Sequence, residues 1–353
     1  MQLHGISVQN HIESQRIFLK ANNYCEKDGS TRGHLIIENG QSIFSTFSMM
    51  DKSVHIIILN WNGYLLTRDC LISLRNIDYK NHRITIVDNA STDDSADKLS
   101  KEFPEIELLR SNVNLGFAGG NNLALKYVKE TYKPDYFLLL NNDTVVEPSF
   151  LSALIKNSTD LSVGIIGSKI YFFDEPTRLW FAGGYFDKFC GDGGHYAYEQ
   201  LDEGGNNTLC KVDFITGCCL MLSKELIEKI GYLDDSFFAY CEDLDYCLRA
   251  KENGFDCLYV PDSIIYHKVS SSFKTQKRTT LGNRSALAYY LNVRNRFFIY
   301  RKHRKLISTV GFIYNQFLFV MRYLIGFSVT FQFEKFKNVI SGVHDGVFMK
   351  FKK

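Results

Sequence analysis

Residues 137–143 read FLLLNND: four apolar or aromatic side chains, Phe137 to Leu140, end abruptly in Asn141, Asn142 and Asp143. A run of this kind suits a strand buried on both faces. Its stop delivers a carboxylate to the carboxyl edge of a sheet, where open α/β sheets bind ligands. The same grammar recurs upstream. VHIIILNWNG (54–63) is a near-continuous apolar run ending in Asn and Gly, ITIVDNASTD (84–93) ends on Asp88, and IELLR (106–110) is a third strand. Between them lies helical spacing of Leu65, Leu66, Cys70, Leu71 and Leu74. NLGFAGGNN (114–122) reads as a glycine-rich turn leading into a helix. Ser91 or Asp93 is placed to cap the helix before it. This alternation predicts a parallel sheet with right-handed crossovers.

Beyond Leu161 the pattern is more mixed. VGIIGSKIYF (163–172) reads as a strand, and the glycine-rich stretch 183–205 as loops or hairpins. KELIEKIG (224–231) and DLDYCLRAKENG (243–254) read as helices with glycine stops. FDCLYVPDSIIYH (255–267) reads as a strand, a proline break and a second strand ending on His267. A helical, aromatic and basic stretch follows (286–305), then a strongly apolar one (306–331) interrupted by Asn315, Gln316 and Arg322. Ser308, Asn315 and Arg322 recur at sevens as a narrow polar stripe. A basic patch, Arg301 to Lys305, followed by such a helix suits the face of an anionic membrane; an apolar stripe equally suits packing on the protein body. Residues 1–50 are polar and weakly periodic: a small appendage, a disordered arm, or an over-long gene start, with Met49 and Met50 just before the first strong strand. The expected organisation is therefore that appendage, an α/β domain over 51–285, and a C-terminal helical basic and apolar extension over 286–353.

The bulk numbers set bounds. The chain has 353 residues and is 45% hydrophobic, enough for a sizeable core. Its 41 basic and 39 acidic residues argue against a nucleic-acid partner, which would draw a basic excess. Nine cysteines, scattered and without a CxxC pair, read as a reducing, cytoplasmic compartment. Residues 1–30 contain no apolar core of a signal peptide.

Taken singly, the polar residues carry little. Asp88 alone reads as a turn residue, DNAST being good turn chemistry; the functional reading needs it at a strand end, accepting hydrogen bonds from a ribose or base. Asp143 alone reads as a satisfied loop carboxylate. A magnesium or manganese ion takes oxygen ligands, several of them commonly from substrate phosphates. One carboxylate, a diphosphate and one further ligand therefore suffice. Glu242, Asp243 and Asp245 read first as favourable acids in a helix's first turn. FFAYCED sets three aromatics before them, however, and walls that exclude water raise a carboxylate toward the range of a general base. His267 alone reads as structural and gains weight from its strand-end position. Gly116, Gly119 and Gly120 spell neither GxGxxG nor GxxxxGK[ST], so a dinucleotide fold and a P-loop are poorly supported.

In order along the chain stand NWNG (60–63), VDNASTD (87–93), NLGFAGGNN (114–122), LLLNNDT (138–144), ITGCCLML (215–222) and FFAYCEDLDYCLRAKENGF (237–255). Together they resemble the family 2 glycosyltransferases, in particular the rhamnosyltransferase-like and galactofuranosyltransferase-like branch, over about residues 54–300. The resemblance implies a GT-A fold, a mostly parallel sheet flanked by helices. It also implies an inverting transfer from a nucleotide-diphosphate sugar and a divalent metal, Mg or Mn. By position, Asp88 resembles the carboxylate that holds the nucleoside, and Asn60 and Asn62 line the same pocket. Asn114, Gly116 and Asn121 resemble the donor-binding turn, and Asn142 is grouped with them. Asp143 resembles the last acid of a DxD motif that here reads Asn-Asn-Asp, with one acid of two. That departure places more demand on the diphosphate and on His267, which looks like the family's metal-binding histidine. Asp243 resembles the catalytic base, with Glu242 preceding it.

The implied acceptor is a hydroxyl of a glycan or lipid-linked glycan in cell-surface polysaccharide synthesis. The implied location is the cytoplasm, peripheral on the inner membrane's cytoplasmic face. The first donor expected is dTDP-rhamnose, then a UDP-hexose or UDP-galactofuranose. Two other readings compete: a non-catalytic sugar-nucleotide-binding or scaffold subunit, and a nucleotidyltransferase. The latter would want a glycine-rich, basic loop after the first strand, where this chain has NWNG.

Overall fold

The computed structural model describes residues 52–268 and 284–351, so the expectations for residues 1–50 lie outside the described residues. Four strands form the parallel half of the main sheet: β1 (Val54–Asn60), β2 (His82–Asp88), β3 (Glu107–Arg110) and β4 (Tyr136–Asn141). They lie in the order β3-β2-β1-β4, joined by α1 (Tyr64–Leu74), α2 (Ser95–Glu102) and α3 (Gly116–Thr131). Ile56, Ile57 and Ile58 of β1 and Leu138, Leu139 and Leu140 of β4 are all buried, as their unbroken apolar runs require. Register aligns the strand ends: Asn60 lies opposite Asp88, and Leu59 opposite Asn141. The helix α2 is entered through Asp93, whose Oδ1 accepts from the Ser95 amide at 3.0 Å.

Past β4 the sheet is mixed. The strands β5 (Thr144–Val146), β6 (Val163–Phe172) and β7 (Glu175–Phe181) flank α4 (Phe150–Lys156). A tight turn joins β6 to β7, which forces them antiparallel. The strands β8 (Gly184–Asp187) and β9 (Asp192–His195) form a separate hairpin in the glycine-rich stretch. Next come β10 (Cys210–Val212), β11 (Cys219–Ser223), α5 (Lys224–Ile230), α6 (Glu242–Glu252) and β12 (Asp256–His267). The whole order is β10-β12-β6-β11-β4-β1-β2-β3, with β5 on β12 and β7 on β6.

Two expectations change. The proline break in 255–267 is instead one continuous strand: a register shift between Val260 and Ile264 absorbs Pro261, which has no amide to donate. Nor is 114–122 a turn throughout. Helix α3 begins at Gly116, so Gly119 and Gly120 are helical, and a Cβ on Gly120 would lie 2.4 Å from Leu59 Cδ1 of β1. That glycine sets how closely helix and sheet approach.

Three helices close the chain: α7 (Ala286–Lys302), α8 (Thr309–Val329) and α9 (Phe333–Phe348). From α7, Phe298 and Ile299 enter the main core. Tyr289, Val293, Phe327 and Val339 form a second, small core where the three helices meet. Ser308, read as part of a polar stripe, caps α8 by accepting from the Gly311 amide at 3.3 Å. Among the described residues α8 is the one helix long and apolar enough, by length and composition, to cross a membrane.

Candidate active site

The ends of β1, β2 and β4 carry a continuous hydrogen-bond chain. Asn142 Nδ2 donates to Thr67 Oγ1 (2.9 Å), Thr67 Oγ1 to Asn60 Oδ1 (2.8 Å), and Asn60 Nδ2 to Asp88 Oδ1 (2.9 Å). Asp88 also accepts from the Ser91 hydroxyl (2.6 Å) and amide (3.1 Å), and is buried. A carboxylate has about four acceptor positions, so the three bonds leave room for another donor. Asn62 sits in the left-handed region at φ 50 and accepts from the Thr92 amide at 2.7 Å, tying the first strand-end loop to the second.

The next group centres on Asn89, which the sequence reading passed over although it follows Asp88 directly. Its Nδ2 donates to Asn114 Oδ1 and to the Gly116 carbonyl, both at 3.1 Å, and its Oδ1 accepts from the Leu115 amide at 2.9 Å. Asn89 thus pins the start of α3 to the end of β2. Gly116, at φ 72, would put a Cβ 2.4 Å from the Phe238 carbonyl oxygen, so glycine here lets α3 meet the acidic loop. Asn121 is buried and donates to the Phe117 carbonyl of its own helix at 2.9 Å.

Asp143 and His267 are brought together by β5. Thr144 pairs with His267 across β5 and β12, which sets Asp143 beside the histidine. Asp143 Oδ1 and His267 Nε2 stand 3.1 Å apart, and the Lys268 amide donates to the Asp143 carbonyl at 2.8 Å. Burial alone would push the Asp143 carboxyl up; the His267 hydrogen bond and charge, aided by Lys268, outweigh it and hold the group below the ordinary carboxylate range. His267 lies edge-on to Trp180 at 4.5 Å, and its Nδ1 is buried with no hydrogen-bond partner among the described residues.

Two neighbouring ligands on an octahedral ion with bonds of about 2.1 Å stand about 3.0 Å apart. The carboxylate and imidazole meet that spacing. No set of three or more His, Cys, Asp or Glu side chains among the described residues could hold a metal. The pair therefore fits an ion that takes the rest of its shell from phosphate oxygens and water.

The acidic loop is strained. Phe238, Tyr240 and Cys241 all have positive φ, at 65, 71 and 67. Helix α7 holds it: Asn295 Nδ2 donates to the carbonyls of Phe237 (3.0 Å), Ala239 (2.7 Å) and Tyr240 (2.7 Å), and Arg294 Nη2 donates to those of Ser236 (2.9 Å) and Phe237 (2.7 Å). The acids just beyond have separate fates. Asp243 takes the Gly217 amide on Oδ2 (2.9 Å) and the Leu244 amide on Oδ1 (2.8 Å), which fixes its plane. Glu242 is buried, its Oε2 without a partner, and burial with the neighbouring Asp243 charge pushes its carboxyl well above the ordinary range. Asp245 is buried among His303 (2.9 Å), Arg249 (2.9 Å) and Lys302 (2.8 Å) and anchors α6 to α7.

Two site-lining residues belong to no motif: Trp180, and His195, the last residue of β9 in the stretch read as loops or hairpins. Trp180 contacts both imidazoles, His195 at 4.8 Å and His267 at 4.5 Å.

The profile described as "Glycosyl transferase family 2" matches residues 53–231, just over half of the chain. The low-salt glycan biosynthesis hexosyltransferase Agl10 of Haloferax volcanii is 26% identical over 60% of this chain; the match spans 65% of Agl10, less than two thirds of its length. The dTDP-rhamnosyl transferase RfbF of Shigella flexneri is 22% identical over 72% of this chain and 82% of its own. Among solved structures, the mannosyltransferase PcManGT of Pyrobaculum calidifontis, in complex with GDP-Man and Mn2+, superposes with a TM-score of 0.53 at 12% identity, covering 85% of this chain and 88% of that one. It shares the fold expected from the motif resemblance. The chain belongs to glycosyl transferase family 2.

Proposed function

We propose that the protein is an inverting glycosyltransferase. It moves a sugar from a nucleotide-diphosphate donor to a hydroxyl of a glycan or lipid-linked glycan in cell-surface polysaccharide synthesis. The observation that carries the reading is the meeting of Asp143 and His267 at the carboxyl edge of the sheet. Asn60, Asn62 and Asp88 line the nucleoside end, and Asn89, Asn114 and Gly116 hold the turn behind it. Asp143 and His267 would hold a magnesium or manganese ion, which when bound neutralises charge on the departing diphosphate. Asp243, its plane fixed by two backbone amides, takes the proton from the acceptor hydroxyl as that oxygen attacks the anomeric carbon. The bond from anomeric carbon to diphosphate oxygen breaks on the opposite side, and its electron pair leaves with the nucleoside diphosphate. No covalent enzyme intermediate is needed. Rhamnose is the first candidate sugar, in line with the donor in RfbF's name.

The acceptor class and the exposed apolar C-terminal helices support work at an anionic membrane surface, on its cytoplasmic face. A screen of dTDP-rhamnose, UDP-hexoses and UDP-galactofuranose tests the reaction by measuring nucleoside-diphosphate release with and without Mn2+. Metal-dependent release with one donor is expected. Donor binding with no release, with or without added glycan acceptors, would overturn the enzyme in favour of a non-catalytic binding subunit.

A further inference from the structure

We propose that His195 accepts a hydrogen bond from a hydroxyl of the donor sugar and so takes part in choosing the donor; this rests on the donor-site reading above. His195 ends β9, facing Gly184 of β8. Its Nδ1 lies 3.0 Å from the Trp180 carbonyl oxygen, the ring's only hydrogen bond among the described residues. A carbonyl can only accept, so Nδ1 carries the hydrogen and Nε2 keeps its lone pair. The ring is boxed by Trp180 (4.8 Å), Phe181 (4.9 Å), Tyr198 (5.9 Å) and Phe214 (6.0 Å). Burial in that box lowers its pKa and favours the neutral imidazole. The result is an acceptor of fixed orientation inside an aromatic enclosure.

Its position says what it meets. The Trp180 indole touches both His195 and His267, and Leu244, the neighbour of Asp243, lies against Gly193 on the same strand as His195. In a direct displacement the donor sugar must lie between the leaving diphosphate, at the Asp143–His267 end, and the base that deprotonates the acceptor, Asp243. A group set between those two ends borders the sugar ring and not the nucleoside. Sites built to hydrogen-bond a substrate hydroxyl discriminate strongly against analogues lacking it, because the buried protein group is left unpaired.

The test measures binding by calorimetry in Mn2+ for the wild type, His195→Phe and His195→Gln. The probes are dTDP and UDP alone, and dTDP-rhamnose and UDP-galactose. Glutamine offers an acceptor close to the Nε2 position; phenylalanine does not. The expected result is that His195→Phe binds the bare diphosphates as the wild type does but loses about tenfold in affinity for the nucleotide sugar that the wild type prefers. His195→Gln should recover most of that loss. Equal weakening of sugar and bare diphosphate in His195→Phe would make the residue structural and overturn the proposal, as would no weakening of either. If the wild type binds neither dTDP nor UDP, the donor-site reading falls and this proposal with it; unchanged selectivity against intact diphosphate binding sinks this proposal alone.

Discussion

Glu242 and Asp245 lie three residues apart on the first turn of one helix, and the fold pushes their carboxyls in opposite directions. Asp245 is buried among His303, Arg249 and Lys302, and although burial itself would raise it, these partners hold it down to about 2. Glu242 is buried with an unpartnered oxygen beside the Asp243 charge, so its protonated form is favoured. Linkage gives the signs. For Asp245 the unfolded chain binds more protons between its ordinary value of 3.8 and about 2, so its contribution is complete above that window and is lost as pH falls through it. For Glu242 the native state binds more protons above the ordinary 4.5, so its contribution is complete below that value and is lost as pH rises through the folded pKa. Glu242→Gln, an isostere of the protonated acid, should therefore leave stability near wild type at pH 4.5 and raise it increasingly toward pH 8 in urea unfolding. An unchanged difference between the two pH values would show that Glu242 ionises freely. Asp243 carries the opposite demand, since a base must give up its proton to act. Asp243→Asn should cost about 10²–10⁴ in turnover while the donor dissociation constant stays within a few-fold of wild type. Near-normal turnover would remove Asp243 from the role of base.

At the scale of elements, α7 and the acidic loop make one unit. Three non-glycine residues at positive φ persist only where the surroundings over-determine them, and one amide, Asn295 Nδ2, gathers three of the loop's carbonyls. Asn295→Ala should cost about 3 kcal/mol, since the Ala239 and Tyr240 carbonyls lose their donor at about 1–3 kcal/mol each while Phe237 keeps Arg294. It should also lower kcat more than it weakens donor binding, because the loop runs directly into Asp243, the proposed base, and reaches the start of α3 only through Phe238. Retained kcat in a folded Asn295→Ala protein would show that the loop keeps its shape unaided. Here the sequence was least legible. Strands buried on both faces announce themselves as apolar runs, so β1, β2 and β4 could be read with their Asn and Asp ends. The residues at those ends follow from the same runs. What depends on distant partners leaves no local trace: Asn295 reaches back more than fifty residues to the loop, β5 is three residues long, and His195 meets Trp180 and Phe214 from outside its hairpin. The pairing of His267 with Asp143 required two strands to be paired before the residues could be placed side by side.

Over the whole molecule, the active edge of the sheet and the C-terminal helices are joined through α7, which touches the acidic loop with Arg294 and Asn295 and the other helices with Tyr289 and Val293. Beyond it, α8 shows solvent a stripe of Val310, Ile313, Tyr314, Phe317 and Leu318, continued by Ile325 and Val329. Val310 is 76% and Phe317 61% exposed, a degree of apolar exposure that soluble surfaces seldom keep over a contiguous patch. The helix is 21 residues long, about 30 Å, enough to cross a bilayer. Its attachment argues for lying flat instead: Phe312 near its start stacks on Tyr300 of α7 at 4.2 Å, and Phe327 near its end is buried against Tyr289, so both ends are held to the body. Exposed Arg304 and Lys305 stand just before it, where each basic residue near an anionic surface is worth about 1 kcal/mol. The protein should therefore float with phosphatidylglycerol vesicles at low salt and be released by high salt. Replacing Arg304 and Lys305 by Gln should weaken partitioning about fivefold per charge, and Ile313→Ser with Phe317→Ser should weaken it without lowering the melting temperature, because both side chains already face water. Equal flotation with neutral phosphatidylcholine vesicles, or none with either lipid, would mean that the stripe meets something other than an anionic membrane.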